Sequence, residues 1–360
     1  MSRHIILVTG GAGFIGSALV RLLVRESDAI VVNLDALTYA ANLANVAEVD
    51  GSPRYRFERA DICHAAEVRR IFDEHRPTAV VHMAAETHVD RSIDDPLVFV
   101  QTNVLGTATL LQVACHYWRA LAAADRAQFR FHHVSTDEVY GSLGQTGSFN
   151  ESSSYQPNSP YAASKAGADH VVRAWHRTYG FPIIISNCSN NFGPYQFPEK
   201  FIPMMIINAL EGRPMPIYGR GENVRDWLFV EDHARALSTI LRAGRPGECY
   251  NVGGNSEMRN MDVAALICDL VDEVARPLPG GKPRRHLMTF VADRPGHDLR
   301  YAIDASKIGR ELGWRPQESF ESALRRTVEW YLSNEAWWRP LRSAAAKRLG
   351  LAGKTFSDAV

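Results

Sequence analysis

His4-Ile5-Ile6-Leu7-Val8-Thr9-Gly10-Gly11-Ala12-Gly13-Phe14-Ile15-Gly16 is a short apolar run closed by glycines at 10, 13 and 16. The run reads as a buried strand, and Phe14–Arg25 continues it with helical periodicity. In a strand–turn–helix unit the three glycines allow a tight turn, close approach of a pyrophosphate and close helix–strand packing. The start of the helix, at Phe14 and Ile15, offers N–H groups to phosphate. A glycine triplet alone says little; its place between strand and helix gives it weight.

The pattern repeats outward. Ile30–Leu34 reads as a second strand ending at Asp35, in the place of the acid that holds an adenosine ribose. A carboxylate there favours two free hydroxyls and repels a 2′-phosphate, so NAD is expected rather than NADP. A turn-capping aspartate is the plainer alternative. Thr38 lies in the same loop. Tyr55–Arg59 is a third strand, followed by Asp61-Ile62, placed to receive the adenine; Asp61 suits a helix N-cap almost equally. Ala65–His75 is helical. Ala79–Met83 is a fourth strand, followed by Ala84-Ala85, where the cofactor should pass. Pro96–Arg119 holds a long helix, Phe129–Val134 a strand, Tyr161–Tyr179 a helix and Pro182–Ser189 a strand. Such alternation predicts an α/β fold: a Rossmann-like, doubly wound parallel sheet covered on both faces.

After Asn190 turn residues become denser, as in Gly193-Pro194, Gly219-Arg220-Gly221 and Gly253-Gly254. Elements there read as shorter. Residues 1–190 are expected to form the cofactor domain with the catalytic residues, and 191–335 a smaller, mixed substrate-binding lobe. Arg225–Val230 and Glu248–Val252 would return strands to the first domain. From Ala336 to 360 the chain is polar and reads as a loosely held tail.

Composition narrows the class. The 360 residues carry 40 basic and 40 acidic side chains, so no overall field favours nucleic acid or an anionic membrane. The five cysteines are scattered, without CxxC or a His/Cys cluster, which argues against zinc and against a disulfide framework; no metal is expected. Cys188 reads as a buried free thiol. Neither a signal peptide nor an 18-residue apolar stretch is evident, so a cytoplasmic protein is expected.

The chemistry is carried by Ser135-Thr136-Asp137-Glu138-Val139-Tyr140-Gly141 at a strand end and by Tyr161-Ala162-Ala163-Ser164-Lys165. Tyr161 and Lys165 share a helix face. An ammonium beside a phenol favours tyrosinate, a base for an alcohol, and Lys165 can also reach a nicotinamide ribose. Oxidation alone needs no further acids. Asp137 and Glu138 suggest an elimination, which takes one protonated and one ionised carboxyl.

Together these residues resemble the extended short-chain dehydrogenase/reductase family, from Gly10 to about Tyr331, and within it the nucleotide-sugar 4,6-dehydratases. Matching segments are Ala84-Ala85-Glu86-Thr87-His88-Val89-Asp90-Arg91-Ser92-Ile93, the Ser135–Gly141 stretch, Asn190–Lys200, Arg225-Asp226-Trp227 and Asp293-Arg294-Pro295-Gly296-His297-Asp298. The resemblance implies tightly held NAD, dTDP-glucose as substrate and a homodimer with a four-helix interface built from Pro96–Arg119 and Tyr161–Tyr179. It implies that Tyr161 takes the 4-hydroxyl proton as hydride leaves C4, with Thr136 on the 4-oxygen. Glu138 then takes the C5 proton, Asp137 protonates the leaving C6 hydroxyl, and hydride returns to C6. It assigns Thr87, Asn190, Lys200, Phe201, Arg225, Asn260, Arg294 and His297 to the substrate, with Pro216 and Tyr218 near the base. Arginines suit a diphosphate through planar, bidentate pairing. Phe201 replaces an expected leucine and Thr87 the usual serine. The residues leave thymine and uracil both open, the difference being one methyl contact worth about 1 kcal/mol. A 4-epimerase shares the fold but needs no acid pair, GDP-mannose dehydratases more often show Ser-Glu here, and a non-catalytic NAD sensor has no use for Tyr161, Lys165 and the acids.

Overall fold

The computed structural model describes residues 4–293 and 296–346. Contacts divide the chain into two compact units, one of residues 1–191, 223–258 and 295–320, the other of 192–222, 259–294 and 321–360.

The first unit is built on seven strands: β1 (Ile5–Thr9), β2 (Ile30–Asp35), β3 (Tyr55–Arg59), β4 (Ala79–His82), β5 (Arg130–Thr136), β6 (Ile183–Cys188) and, returning late in the chain, Cys249–Val252. Their pairs are all parallel, in the spatial order Cys249–Val252, β6, β5, β4, β1, β2, β3. This is a doubly wound sheet whose strand order reverses between β1 and β4, and ligands bind such sheets at the carboxyl ends beside that point.

Each face of the sheet has its own core. Leu7, Val32, Val80 and Phe131 meet Phe72, Leu110, Ala114 and Phe181 on one side. Ile6, Val8, Val31 and Val81 meet Leu19, Val20, Leu23, Val230, Ala234 and Leu237 on the other. Strands buried on both faces need continuous apolar runs, which is why these segments lack alternation.

The long helix expected over 96–119 is present as Pro96–Ala120, built from an α-helical turn Pro96–Phe99, a π-helical stretch Val100–Gly106 and an α-helix Thr107–Ala120. Other expectations need correction. Contrary to the sequence expectation, Pro96–Ala120 is long and apolar enough, by length and composition, to cross a membrane. The burial of Leu110, Leu111, Val113 and Ala114 shows that this apolarity serves the core. The later elements are also not short: Val230–Ala243 has 14 residues and Asn260–Val274 has 15.

The second unit packs Phe201–Glu211 against Asn260–Val274 and pairs Met215–Tyr218 with Met288–Val291 in parallel. The loose tail expected from Ala336 begins instead in a helix, Glu335–Ala346. Its Trp338 is 2% exposed and donates to the Tyr331 carbonyl, while Trp337 packs edge-on to Trp330. The apolar anchors at 337 and 338 outweigh the polar composition around them.

Candidate active site

The glycine turn sits at the carboxyl end of β1. Gly10 has φ +73°, and a Cβ on it would meet Ala84 N at 2.8 Å; a Cβ on Gly16 would lie 2.1 Å from the Gly10 carbonyl oxygen. Side chains are excluded from this cradle, which fits a pyrophosphate lying on the backbone. Phe14 and Ile15 open the helix whose N-cap is Gly13.

Asp35 closes β2 beside the turn. Its Oδ2 accepts the Ala12 N–H at 2.9 Å and its Oδ1 the Leu37 N–H at 2.8 Å. The turn-capping alternative is therefore real, and both oxygens retain a lone pair for a ribose. Burial pushes its carboxyl above the usual range, against those two bonds. Thr38 is exposed in the following loop. Asp61 Oδ1 accepts the Cys63 N–H at 2.8 Å, whereas His64 is the N-cap residue of Ala65–His75. Ile62 is buried beside it. Ala84 and Ala85 follow β4, half-buried, and Thr87 is exposed.

Thr136 ends β5 and caps the short helical turn Asp137–Tyr140 by accepting the Glu138 N–H at 3.3 Å. Asp137 is 1% exposed, and its Oδ2 is buried without a hydrogen-bond partner. Burial first, then the charges of Glu138 and Asp226, hold this carboxyl well above its ordinary range; Arg225 and Thr136 pull weakly the other way. Burial therefore favours the neutral form of Asp137, and Glu138, its half-buried neighbour, is a separate carboxyl within reach of its field.

Tyr161 opens the helix Pro160–Tyr179, capped by Ser159 accepting the Ala162 N–H. Burial pushes the Tyr161 phenol well up, helped by the charge of Glu138 and opposed by a hydrogen bond with Thr136. Lys165, buried one turn later, donates from Nζ to the Val134 carbonyl at 2.9 Å. Burial pushes the Lys165 ammonium down, and Asp169 opposes this. From sequence the ammonium was expected to depress the phenol; burial outweighs that effect here.

Several groups that sequence reasoning missed bind this centre together. Thr9 Oγ1 accepts the N–H groups of Met83 and Ala84 and lies 2.7 Å from His82 Nδ1. His82 Nε2 lies 2.9 Å from Thr107 Oγ1, which donates to the Asn103 carbonyl. Asn103 Oδ1 accepts the Glu86 N–H, and its Nδ2 donates to the Glu86 carbonyl and to Ser164 Oγ. Ser164 donates in turn to the Tyr161 carbonyl. The loop after β4 and the helix of Tyr161 and Lys165 are joined through one asparagine on a π-helical stretch, a feature that often marks functional sites. Cys188 is buried as expected, its thiol pushed up to about 12 by burial first and Asp137 second.

Of the expected substrate groups in the first unit, Asn190 keeps a buried Oδ1 without a partner. His297 is half-buried. Arg225 is buried; it donates to the carbonyls of Val224 and Asp298 and lies 4.4 Å from the Tyr301 ring centroid. In the second unit Lys200 and Phe201 start the helix Phe201–Glu211, Pro216 and Tyr218 lie on the strand Met215–Tyr218, and Asn260 starts Asn260–Val274 with its Oδ1 buried and without a partner. Arg294 lies outside the described residues.

Among the described residues, Glu58, Glu74 and His75 come close enough to share a cation. Arg70 already bridges Glu58 and Glu74, at 2.6 and 2.8 Å.

A family model described as GDP-mannose 4,6 dehydratase matches residues 7–327. The dTDP-glucose 4,6-dehydratase of Salmonella typhimurium is 56% identical over 349 residues, covering 94% of this chain and 96% of that one. The dTDP-glucose 4,6-dehydratase 1 of Escherichia coli K12 is 57% identical with the same coverage. The crystal structure of the dTDP-glucose 4,6-dehydratase DesIV from Streptomyces venezuelae, with NAD and dTDP bound, superposes with a TM-score of 0.85 at 49% identity, over 94% of this chain and 99% of that one. A UDP-glucose 4-epimerase from Thermotoga maritima reaches 0.80 at 27% identity, over 92% and 99%.

Proposed function

We propose the chemistry of this site from one premise: the chain belongs to the dTDP-glucose 4,6-dehydratase family. It is an NAD-dependent hydro-lyase that converts dTDP-glucose to dTDP-4-keto-6-deoxyglucose and water. Bound NAD accepts hydride from C4 of the sugar and supplies it again at C6.

The protein's own residues do the rest. Gly10, Gly13 and Gly16 clear the pyrophosphate cradle, and Asp35 takes the adenosine ribose. Tyr161 removes the 4-hydroxyl proton, and the positive nicotinamide of bound NAD would join Lys165 in offsetting the burial that raises its phenol. Thr136 holds the 4-oxygen. Glu138 takes the C5 proton, acidified by the 4-keto group, and gives a proton back to C5 when hydride reaches C6. Asp137 gives its proton to the departing C6 hydroxyl. The observation that carries this reading is Asp137 Oδ2, a buried, unpartnered oxygen on a carboxyl that burial and a neighbouring acid hold above its ordinary range. A 4-epimerase, which returns hydride to C4, has no use for it. The sugar and diphosphate fall to Thr87, Asn190, Lys200, Phe201, Asn260, Arg294 and His297, with Pro216 and Tyr218 near the base. Arg225 joins Arg294 at the diphosphate, while its bonds to backbone carbonyls steady the segment Asp298–Tyr301 and its charge tempers Asp137.

The enzyme works as a cytoplasmic homodimer. Leu97 is 75% exposed, and Val98, Val100 and Leu105 are exposed on the same helical segment, an apolar surface suited to a four-helix interface with Pro160–Tyr179. Its five free cysteines suit a reducing compartment. Leu97→Asp with Leu105→Asp should yield monomers in sedimentation velocity; an unchanged dimer would refute this interface.

The test of the activity is turnover of dTDP-, UDP-, CDP- and GDP-glucose followed by NMR. A 4-keto-6-deoxy product from dTDP-glucose is expected. Galactose epimer formation, or no product from any of the four, would overturn the assignment.

A further inference from the structure

One turn beyond Lys165 on the same helix lies Asp169, whose exposure is 0%. Three side chains converge on its carboxylate. His133 Nε2 lies 3.1 Å from Oδ1, and the hydroxyls of Ser135 and Tyr155 each donate to Oδ2 at 2.8 Å. Arg173 supports Tyr155 by donating to its oxygen at 3.2 Å.

His133 and Ser135 flank Val134 on β5, and the Val134 carbonyl is the acceptor for Lys165. Asp169 therefore grips the strand on both sides of the residue that holds the lysine. The next three residues are Thr136, Asp137 and Glu138. A buried ion is costly unless it is paired and fully hydrogen-bonded. An apolar side chain would fill this space at less cost, so the charge calls for another explanation.

The groups facing Lys165 are Asp169 on its own helix, His133 on β5, Cys188 on β6 and His82 on β4. Burial holds His82 and His133 below the usual imidazole range, and it holds the Cys188 thiol up at about 12. All three are neutral near neutral pH. Burial alone would raise Asp169 too, but its hydrogen bonds with His133 and Ser135 and the charge of Lys165 leave it below the ordinary carboxyl range. His133 being neutral, it acts on Asp169 as a hydrogen-bond donor; the cations beside Asp169 are Lys165, which holds its carboxyl down, and Arg173, which also supports Tyr155.

We propose that Asp169 is a positioning residue for the reaction: its carboxylate is the counter-charge that keeps the Lys165 ammonium protonated inside the core, and its hold on Ser135 sets the strand end that presents Thr136, Asp137 and Glu138. The inference rests on the role given to Lys165 in C4 oxidation.

The experiment is the pH profile of kcat for full-length holoenzyme and Asp169→Asn with dTDP-glucose. Without the carboxylate, Lys165 loses its proton at lower pH. The alkaline limb should move down by at least about one pH unit, a tenfold loss of kcat on that limb, with KM for dTDP-glucose changed less than about threefold. Asp169→Glu should restore part of the limb. A folded Asp169→Asn with an unmoved profile would overturn the proposal. If Asp169→Asn does not accumulate, Ser135→Ala and Tyr155→Phe decide, since each removes one donor and leaves the charge. Both should lower kcat about tenfold without moving the limb, and wild-type kcat in both would equally overturn it. Wild-type turnover in the same runs reports separately on the dehydratase reading: its absence would refute that reading, not the role of Asp169.

Discussion

Asn103 Nδ2 donates to Ser164 Oγ at 2.8 Å across 61 residues of chain, and the same amide holds both the N–H and the carbonyl of Glu86. The loop after β4 and the helix of Tyr161 and Lys165 are thus held by one side chain. Asn103→Ala should destabilise the protein by about 1–3 kcal/mol, since it strands buried donors and acceptors. It should also lower kcat more than it raises KM. Thermal unfolding and steady-state kinetics on one preparation check both. A variant with normal stability and kcat would show that the loop is held by other means.

The two acids should fail differently. Glu138→Gln should permit C4 oxidation yet nearly abolish exchange of the C5 proton with solvent. Asp137→Asn should keep that exchange and slow loss of water by about 10²–10⁴-fold, the usual worth of general acid catalysis. Mass spectrometry in heavy water distinguishes the two. Normal C5 exchange in Glu138→Gln would remove Glu138 from its role.

Asp137 also ties activity to stability. Its folded carboxyl is held above the unfolded value of 3.8. Above that pH the unfolded chain releases the proton while the folded protein keeps it, so this group's contribution to stability falls as pH rises through the window up to the folded pKa. Asp137→Asn removes that penalty. Its melting temperature relative to wild type should climb as pH rises above about 4. A difference that is flat or shrinking would mean that Asp137 is ionised in the fold.

Asp35 should select the cofactor. Protein stripped of nucleotide should regain activity with NAD far better than with NADP, because a 2′-phosphate would meet a buried carboxylate. Equal rescue by both would sink this assignment.

The hydride should stay within one sugar. Substrate carrying deuterium at C4 should give product carrying it at C6, even against a pool of unlabelled NADH. Label lost to that pool, or retained at C4, would favour a dehydrogenase or an epimerase.

Much of this was legible in the sequence. Continuous apolar runs announced the parallel strands, and the glycine spacing and the Tyr161–Lys165 interval are local signals. What stayed hidden depends on distance or on degeneracy. Asn103 and Asp169 take their partners from segments 14 to 61 residues away, and nothing in their neighbourhoods advertises it. The π-helical stretch leaves no imprint on composition. Phe201–Glu211 is apolar nearly all round, so it lacks a stripe to read. The helix carrying Trp337 and Trp338 was masked by the charged residues around two large anchors. The positive-φ turns near Gly219 and Gly221 made their surroundings look fragmented, although long helices flank them.

The widened turn at Val100–Gly106 has a consequence for chain length. Each residue of an α-helix advances the azimuth by about 100°. A π-helical turn takes up an extra residue by winding less per residue, so deleting a single residue from this stretch would restore uniform winding and leave Leu97 and Val98 nearly in phase with Leu110 and Leu111. What it would remove is the local widening that carries Asn103. A one-residue gap here would therefore keep both stripes of the rod and give up the Asn103 clasp.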